Sequence, residues 1–461
     1  MKLLKLIQKS KYTYPAILLF ILIAGLFLRC YRLEFRTGFD ADQEELAFRA
    51  QEIVKGDLAL IGTKTSLGGF SIGPGFYYLA AIFSLVLANN PVSGAYLSVF
   101  LGVLTIAAFY LLGKIFFNEK AGLTLATILA FSFVNVIWDQ NPWSPSLFYF
   151  AQLFILVGTY LAIRKPYGIV LTAIGFIIGF QAHVGIFLSL ASSLVFWLLF
   201  RPRLKSKFLF ISLTIIIFGF LPNLVFDITH NFVNFKRGLG IFSGNSVGEV
   251  ATLNKVFTSL AFSNISIFYP FFSKFFAKVA FTVLVSWGVW KAVKDKKDRS
   301  LLILLLLSIV LPVIFFAFYR TKFSEYYLMM TILPFLTLVG YFINCYLARF
   351  RYLLGLIIFL FVSVNVKEFW IYKRSKSLGA KRAAVVHILE KAGKEGYGVS
   401  LSTAPGENFG FAYLFHYYDM KPNLPPLKNQ QKIMTIVVPE GFDGIFGQVD
   451  FGGVGVIKQG I

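Results

Sequence analysis

Long apolar runs recur throughout this chain, and they restrict its possible folds more than any other feature. Several approach or exceed about 18 residues, the length at which an apolar segment can cross a bilayer as a helix. Of the 461 residues, 57% are hydrophobic and only 14% are charged, and the mean hydropathy is +0.72. A soluble globular protein of this length would not carry so many such runs. We therefore expect an all-α polytopic membrane protein.

Basic residues are concentrated in short segments between the apolar runs, and this arrangement predicts the orientation of the chain. Lysines precede the first run, and basic loops follow at 114–120, 164–165, 201–207, 291–299 and 349–351. Loops with little or mixed charge alternate with them, which is the positive-inside pattern. This pattern accounts for the net charge of +22, and no nucleic-acid partner is expected because no basic face carries base-reading residues. We expect a multi-pass protein of the bacterial plasma membrane with a cytoplasmic N-terminus.

The loop charges also set the number of crossings. No small-residue cleavage site follows the first run, so we interpret it as an uncleaved span. Residues 76–88 are short for a hydrocarbon core of about 30 Å and would break the alternation, so we expect a juxtamembrane or re-entrant helix there. Residues 30–93 then form one external loop. About eleven spans are expected, at 14–28, 95–116, 121–138, 146–163, 168–183, 186–200, 208–226, 273–290, 301–318, 327–347 and 352–371.

The last part of the chain differs from the rest. From residue 373 the apolar runs stop and charged residues become more frequent. Spacing and composition predict a helix, a strand, a second helix and a second strand, at 380–396, 397–402, 409–418 and 432–438. We expect a membrane domain at 1–372 and a small external α/β domain at 373–461.

A cluster of acidic residues follows the first span. The stretch GFDADQEELAFRAQEIVKG, Gly38 to Gly56, holds a large share of the 22 acidic residues of the chain. Charge beside a bilayer is costly and tends to be functional. In an extended segment residues two apart point the same way, which would bring Asp40 and Asp42 together. Glu44 and Glu45 then open an amphipathic helix whose N-terminal dipole favours acids.

The residues leave two interpretations of the aspartate pair open. The acids can cap the helix and remain solvated, which accounts well for the glutamates. Alternatively, one aspartate is a general base that takes a proton from an acceptor hydroxyl. The second carboxylate then steadies that base or holds a divalent metal ion. The choice between Asp40 and Asp42 as the base is not decided by the sequence.

This layout resembles the glycosyltransferases with the C-type membrane fold (GT-C), and the family that holds the protein O-mannosyltransferases and the aminoarabinose transferase of lipid A. The matching segments are FDADQEELAFRAQEI, GPGFYYLAAIFSLVL, LSVFLGVLTIAAFYLLGKIFF and AGLTLATILAF. The usual Asp-Glu of the first loop is Asp42-Gln43 here, and the usual Pro-Pro is reduced to Gly73-Pro74-Gly75. The resemblance covers roughly residues 10–240 well and the later spans by layout only.

The resemblance implies a polyprenyl-phosphate-linked sugar as donor and an acceptor hydroxyl or amine on a protein, a lipid or a glycan. Attack at the anomeric carbon would release polyprenyl phosphate with inversion, on the external face. The departing phosphate requires cations, and the candidates are Arg320, Lys322 and Lys64, with Arg32 behind them. Anchoring at the membrane interface is the alternative for Arg320 and Lys322. No cofactor is implied beyond the divalent ion already considered.

Other polar and aromatic residues at helix ends are candidates for orienting the substrate or a metal ion. They are Asp139 in WDQNPWSPS, His183 in FQAHVG and His230 in FDITHNF. A structural role is the alternative for each. Trp138 and Trp143 are candidates for stacking on a sugar ring, although tryptophan at the membrane interface is the usual case. Cys30 and Cys345 are predicted on opposite sides of the membrane and form neither a disulfide nor a metal motif.

Two other functions suit a membrane protein that handles lipid-linked sugars. A transporter or flippase would place ionisable residues and broken helices at mid-membrane, whereas the spans here are nearly free of charge and the acids cluster at one face. A ligase of lipid-linked glycans would rely on a long external loop between late spans. We therefore predict a glycosyltransferase whose sugar and acceptor the sequence does not name.

Overall fold

The computed structural model describes residues 13–65, 69–240, 252–270, 272–318, 324–347, 349–393, 397–424 and 432–460. Most of this chain is helical, because a backbone inside a bilayer must satisfy its own N–H and C=O groups. The helices before the last domain are α1 Thr13–Cys30, α2 Ala41–Val54, α3 Gly75–Val86, α4 Ser93–Phe116, α5 Glu119–Phe131, α6 Phe133–Asp139, α7 Phe148–Ala162, α8 Gly168–Phe180, α9 Ile186–Phe200, α10 Ser206–Thr229, α11 Val233–Gly240, α12 Leu253–Ile265, α13 Lys274–Lys294, α14 Arg299–Phe318, α15 Ile332–Phe342 and α16 Arg351–Ile371.

The prediction of a polytopic helical protein is confirmed. Within the described ranges, eight helical segments are long and apolar enough to cross a membrane, and the bent pair of α5 and α6 makes nine. Three apolar helices are shorter, namely α3, α8 and α9, with 12, 13 and 15 residues. The α3 helix falls well short of a span, in line with the expected juxtamembrane or re-entrant helix. Counting α8 and α9 as crossings gives the eleven spans, and that count stays a prediction.

The span expected at 121–138 is broken rather than continuous. Its two halves, α5 and α6, meet at Ser132 with a bend of 66°. The Ser132 hydroxyl donates to the carbonyl of Ile267 at 2.7 Å, and the backbone N–H of Phe133 donates to the side-chain oxygen of Asn365 at 2.9 Å. These distant partners satisfy polar groups that a straight helix would have paired within itself. The break turns the chain toward the segment that begins at Gln140.

The last domain is α/β, as expected, and it contains a four-stranded sheet. Its elements are α17 Leu378–Ala392, β1 Gly398–Thr403, α18 Phe411–Tyr417, β2 Lys432–Val438, β3 Val449–Asp450 and β4 Gly455–Gly460. The strand order is β1-β2-β4-β3. The parallel pair β1 and β2 is joined through α18, and β4 runs antiparallel to both β2 and β3. The short strands β3 and β4 were not predicted from the sequence.

The first loop and the last domain share one hydrophobic core. Phe39 and Ala47, from the first loop, belong to the buried cluster that also contains Leu378, Ile388 and Tyr413. Backbone contacts reinforce this packing, because the N–H of Leu378 donates to the carbonyl of residue 37 at 2.9 Å. The last domain therefore packs against the loop that carries the acidic cluster. The domain boundary at 372/373 stays a prediction.

Candidate active site

The α2 helix places the acidic residues of the first loop, and an amide at its first turn fixes where the helix begins. The Oε1 atom of Gln43 accepts a hydrogen bond from the backbone N–H of Asp40 at 3.0 Å, and its Nε2 atom donates to the carbonyl of Pro142 at 3.0 Å. An ionised glutamate at this position would lack the second interaction, because it has no hydrogen to donate. The departure from the usual Asp-Glu pair thus ties α2 to the segment after α6.

A cavity of about 320 Å³ lies between α2, the loop before α3, the turn after α8 and the segment after α6. Three of the predicted site residues line it: Asp42, Lys64 and His183. They come from three separate parts of the chain. The other lining residues include a set of aromatic side chains, namely Phe76, Tyr77, Trp143, Tyr326 and Tyr327. Pockets of this kind, mostly apolar with a few convergent polar groups, are typical ligand sites.

Asp42 is the carboxylate that faces this cavity. Its side chain is open to solvent at the mouth, but the walls of the cavity remove part of its hydration. This partial burial raises the pKa of the Asp42 carboxyl above its ordinary value, and the negative charges of Glu45 and Asp40 raise it further. Glu45 is itself held in place, because it accepts a hydrogen bond from the Tyr77 hydroxyl at 2.7 Å. A carboxylate with a raised pKa is a stronger base than an ordinary one.

Asp40 has a different environment. Its Oδ1 atom lies 2.9 Å from the Nζ atom of Lys381, which comes from α17 in the last domain. Lys381 is completely buried and also donates to the carbonyls of Phe39 and Phe409, at 2.8 and 2.9 Å. Sequence analysis missed Lys381, although a lysine within the small and apolar sequence LGAKRAAVV was the available signal. Asp40 therefore joins the first loop to the last domain and is not among the residues that line the cavity.

The segment that carries Lys64 is held by hydrogen bonds to α10 and α11. Lys64 forms an antiparallel bridge with Ser71. The side-chain oxygen of Asn234 accepts from the Ser71 N–H at 2.7 Å, and its Nδ2 atom donates to the Ser71 carbonyl at 3.0 Å. Asp227 in turn accepts from the backbone N–H of Asn234 at 2.8 Å. Among the described residues, Lys64 has no carboxylate partner, so its ammonium group remains available in the cavity.

The glycine–proline–glycine turn brings the start of α3 against the helix that leads to His183. A Cβ atom at Gly73 would lie 2.1 Å from the side-chain oxygen of Gln181, so a side chain there would displace the Gln181 amide. The backbone N–H of Gly75 donates to the same oxygen at 2.8 Å. The Gln181 amide therefore packs directly against this turn and joins the start of α3 to the end of α8.

His183 lies in the turn after α8 and lines the cavity. Burial lowers the pKa of its imidazole to about 4, so the ring is neutral at physiological pH. The Nδ1 atom accepts a hydrogen bond from the backbone N–H of Gly185 at 3.0 Å. In the neutral ring the proton must then be on Nε2, which makes this atom a donor. The rings of Tyr326 and Tyr327 each lie 5.6 Å from the imidazole, and Trp143 contacts Tyr326 at 5.7 Å.

The structure does not bring Asp139 into the cavity. Its Oδ2 atom lies 2.7 Å from the guanidinium of Arg29, which is completely buried at the end of α1. Arg29 also donates to the carbonyls of Gly25, Leu129 and Ala130, at 3.1, 3.1 and 3.2 Å. This network joins α1 to the broken span. The geometry thus favours the structural alternative for Asp139.

The remaining predicted residues also lie elsewhere or outside the described chain. The His230 ring is exposed and stacks on Phe226, with ring centres 4.1 Å apart. Trp138 lines a smaller neighbouring cavity of about 210 Å³, which shares Tyr326 with the first. Arg320 and Lys322 lie outside the described residues. Of the two tryptophans, only Trp143 lines the candidate site.

The donor set of the cavity does not suit a tightly bound divalent ion. A tightly bound divalent ion such as Ca²⁺ has several oxygen ligands, and the charged ones that a protein supplies are carboxylates. Asp42 is the only carboxylate among the described lining residues. Throughout the described ranges there is no group of three or more His, Cys, Asp or Glu residues that could hold a metal.

Comparisons with known proteins agree with this architecture. Residues 71–226 match the family model described as dolichyl-phosphate-mannose-protein mannosyltransferase. No curated protein matches the chain at a significant level. Among solved structures, ArnT from Cupriavidus metallidurans bound to undecaprenyl phosphate is similar, with a TM-score of 0.64, 12% sequence identity and coverage of 97% of this chain and 98% of that one.

Structures of the oligosaccharyltransferase of Archaeoglobus fulgidus are also similar. The structure tethered to an acceptor peptide has a TM-score of 0.54 and 15% identity, and the match covers 90% of this chain and 64% of that one. The complex of this enzyme, AglB, with an inhibitory peptide and a dolichol-phosphate has a TM-score of 0.50 and 12% identity, with 92% and 70% coverage. At these identities the likeness concerns the fold. The fold and the family resemblance predicted from the sequence are therefore confirmed.

Proposed function

We propose that this chain, which has the C-type membrane glycosyltransferase fold, transfers a sugar from a polyprenyl-phosphate donor to an acceptor hydroxyl or amine. One observation carries the proposal: Asp42, Lys64 and His183 line the same cavity although they come from separate segments. The transfer requires a general base and a cation for the departing phosphate, and a neutral hydrogen-bond donor helps to orient the sugar. The cavity supplies one residue for each of these roles.

In the proposed reaction the acceptor oxygen or nitrogen attacks the anomeric carbon of the sugar. The bond from that carbon to the phosphate oxygen breaks, and its electron pair leaves with the polyprenyl phosphate. The Asp42 carboxylate takes the proton of the acceptor as the new bond forms. Attack from the side opposite the phosphate inverts the anomeric configuration. Asp42 acts only as a base in this scheme, so no covalent intermediate is formed on the protein.

The geometry favours Asp42 over Asp40 as the base. Asp40 is engaged by the buried ammonium of Lys381 at 2.9 Å, which points its carboxylate toward the last domain. Asp42 lines the cavity and has a raised pKa. A general base is most effective when its pKa lies close to the working pH while it remains ionised. Of the two aspartates, only Asp42 is among the residues that line the cavity, where a substrate would bind.

We assign the departing phosphate to Lys64, with Arg320 and Lys322 kept as predicted partners. Lys64 lines the cavity without a carboxylate partner in the described part of the chain, so its charge is free for an anion. Stabilisation of charge that develops in the transition state is commonly the largest contribution to catalysis. The similar structures support a polyprenyl phosphate as the anion, because ArnT was solved with undecaprenyl phosphate and AglB with a dolichol-phosphate.

The aromatic wall of the cavity is proposed to hold the sugar ring. Trp143, Tyr326 and the His183 ring follow one another at centre-to-centre distances below 6 Å. Faces of sugar rings are apolar, and flat aromatic side chains cover such faces at little cost in conformational entropy. The Nε2–H group of His183 is proposed to donate to a sugar hydroxyl.

The test is the release of polyprenyl phosphate by the purified full-length protein. The wild type is incubated with a series of undecaprenyl-phosphate hexoses and pentoses and a membrane extract that supplies acceptors, and free undecaprenyl phosphate is measured by mass spectrometry. Removing a general base typically costs about 10²- to 10⁴-fold in rate. We expect Asp42→Asn to lose at least about 100-fold while the donor still binds.

A matched control uses Glu52→Gln, because Glu52 lies on the same helix but forms an exposed pair with Arg49. This variant should retain wild-type turnover. Movement of intact donor across the membrane without release of undecaprenyl phosphate would instead identify a transporter. Full turnover by Asp42→Asn would remove Asp42 from the mechanism.

A further inference from the structure

A second large cavity, of about 490 Å³, lies between the end of α1, the end of α16 and the last domain. Its polar lining is basic, since it contains Arg32, Arg36, Lys373 and Arg374 together with the hydroxyl groups of two serines. No aspartate or glutamate occurs among the described residues that line it. Four cations in one cavity repel one another unless an anion lies between them. The cavity is separate from the candidate active site and shares no lining residue with it.

Arg36 is the most constrained of these cations. Only 5% of its surface is exposed, and its guanidinium lies 3.8 Å above the ring of Phe369. The Nη2 atom donates to the Phe369 carbonyl at 2.8 Å, whereas the Nη1 atom is buried without a hydrogen-bond partner. A buried donor without a partner is rare in folded proteins and costs free energy. An anion in the cavity would supply the missing acceptor.

The cations that line the cavity lack carboxylate partners within the described ranges, whereas several nearby cations outside it have them. In the described part of the chain, Arg32, Lys373 and Arg374 form no ion pair with a carboxylate. Arg374 donates only to neutral oxygens, namely the Asn141 side chain at 2.7 Å and the Arg36 carbonyl at 3.5 Å. Three cations of the last domain that do not line the cavity are paired: Lys376 with Glu407, Arg382 with Glu34 and Lys381 with Asp40. Four cations without a carboxylate partner among the described residues therefore converge on this one cavity.

The location of the cavity indicates what kind of anion it would meet. The α1 and α16 helices are apolar enough to span a membrane, and they end at Cys30 and Ile371, next to the lining residues. Trp370 lines the cavity and is half exposed, as is typical of tryptophan at the depth of lipid headgroups. Clusters of lysine and arginine at the ends of membrane helices attract the phosphate headgroups of anionic lipids. The cavity therefore lies where a lipid phosphate would be found.

We propose that this cavity binds the phosphate of an anionic lipid headgroup, held by Arg32, Arg36, Lys373 and Arg374, with Ser375 and Ser377 as additional donors. The acyl chains would lie along the exposed apolar surfaces of α1 and α16, near Phe27 and Ile371. The site lies on the same side of the membrane as Asp42, because the loop runs from Arg32 to Asp42 without crossing. It adds a lipid site to the proposed donor site and does not depend on the proposed reaction.

The test measures lipid binding to the purified full-length protein by native mass spectrometry in detergent. Dioctanoyl phosphatidylglycerol, dioctanoyl phosphatidylcholine and inorganic phosphate are titrated separately. The test variant is Arg32→Gln/Lys373→Gln, because both side chains are exposed and their loss should not disturb folding. Each cation near a lipid headgroup contributes about a fivefold factor in binding. We expect phosphatidylglycerol to bind best and the double variant to bind it about 25-fold more weakly.

The matched control is Lys367→Gln/Lys458→Gln, which removes two exposed positive charges that do not line the cavity. It should bind phosphatidylglycerol like the wild type. An equal loss in both double variants would indicate general attraction of charge and would overturn the proposal. Equal binding of phosphatidylglycerol and phosphatidylcholine would also overturn it. Inorganic phosphate that binds as tightly as phosphatidylglycerol would refute the lipid as the ligand.

Discussion

Lys381 holds the first loop against the last domain, and its replacement provides a sharp test of that arrangement. Lys381→Met keeps the length and the apolar part of the side chain but removes three hydrogen bonds of 2.8 to 2.9 Å. Two of them end on the carbonyls of Phe39 and Phe409. A polar group left buried without a partner costs about 1–3 kcal/mol. Asp40, whose side chain is half exposed, can regain water, so its share is about 0–1 kcal/mol.

The two carbonyls and the aspartate together give a loss of about 4 kcal/mol for the contact between the loop and the domain. A loss of this size makes local opening about 1,000-fold more frequent, since each 1.4 kcal/mol is about a factor of ten. The assay is hydrogen exchange of the amides at 39–44 and in α18, where protection should fall by up to that factor. Glycosyl transfer should fall with it, because α2 is no longer held in place.

The control is Lys391→Met, which makes the same chemical change at an exposed position in the last turn of the same helix. Its exchange pattern should match that of the wild type. Unchanged protection of residues 39–44 in Lys381→Met would refute the role given to Lys381. Equal loss of protection in both variants would point to a general weakening of α17 and would refute it as well.

Three further predictions concern the first loop and the broken span. Glu45→Gln removes a negative charge that raises the pKa of Asp42. Because the base works when deprotonated, the rise of kcat/KM with pH should shift to lower pH. An unshifted pH profile would contradict the assignment of Asp42 as the base. Gln43→Glu removes the hydrogen-bond donor to the carbonyl of Pro142. The free energy of unfolding, measured by thermal unfolding, should fall by about 1–3 kcal/mol. An unchanged or higher Tm would show that this hydrogen bond does not hold α2. Asp139→Asn breaks a buried ion pair and should lower the free energy of unfolding by about 3–5 kcal/mol. At a temperature where the variant remains folded, its affinity for the donor should equal that of the wild type. A loss of donor affinity in the folded variant would show that Asp139 belongs to the binding site.

Features set by local sequence could be predicted well. Apolar length located the first span at 14–28, where the structure has Thr13–Cys30, and composition located a strand at 432–438, where β2 is found. The short α3 helix was also predicted, because its length excludes a simple crossing. These features depend on the period and the composition of a continuous segment.

Features set by contacts between distant residues could not be predicted. The break at Ser132 depends on Ile267 and Asn365, which lie far away in sequence. His230 is part of a motif-like segment, but its ring stacks on Phe226 within the same helix end, and Asp227 from that segment serves to hold Asn234. The proposal of Asp42 as the base rests partly on Lys381, which engages the other aspartate. A sequence pattern gives the types of residue at a site but not which of them share a cavity.

The most direct test of Asp42 as the base is a structure of the Asp42→Asn variant with a bound undecaprenyl-phosphate sugar. This substitution removes the proposed base but keeps the shape of the side chain, so the donor should accumulate without being consumed. The donor phosphate should lie within hydrogen-bond distance of the Lys64 ammonium, with the sugar beside Trp143 and His183 in the cavity of about 320 Å³. A donor whose sugar lies outside this cavity, with residue 42 remote from the anomeric carbon, would contradict it.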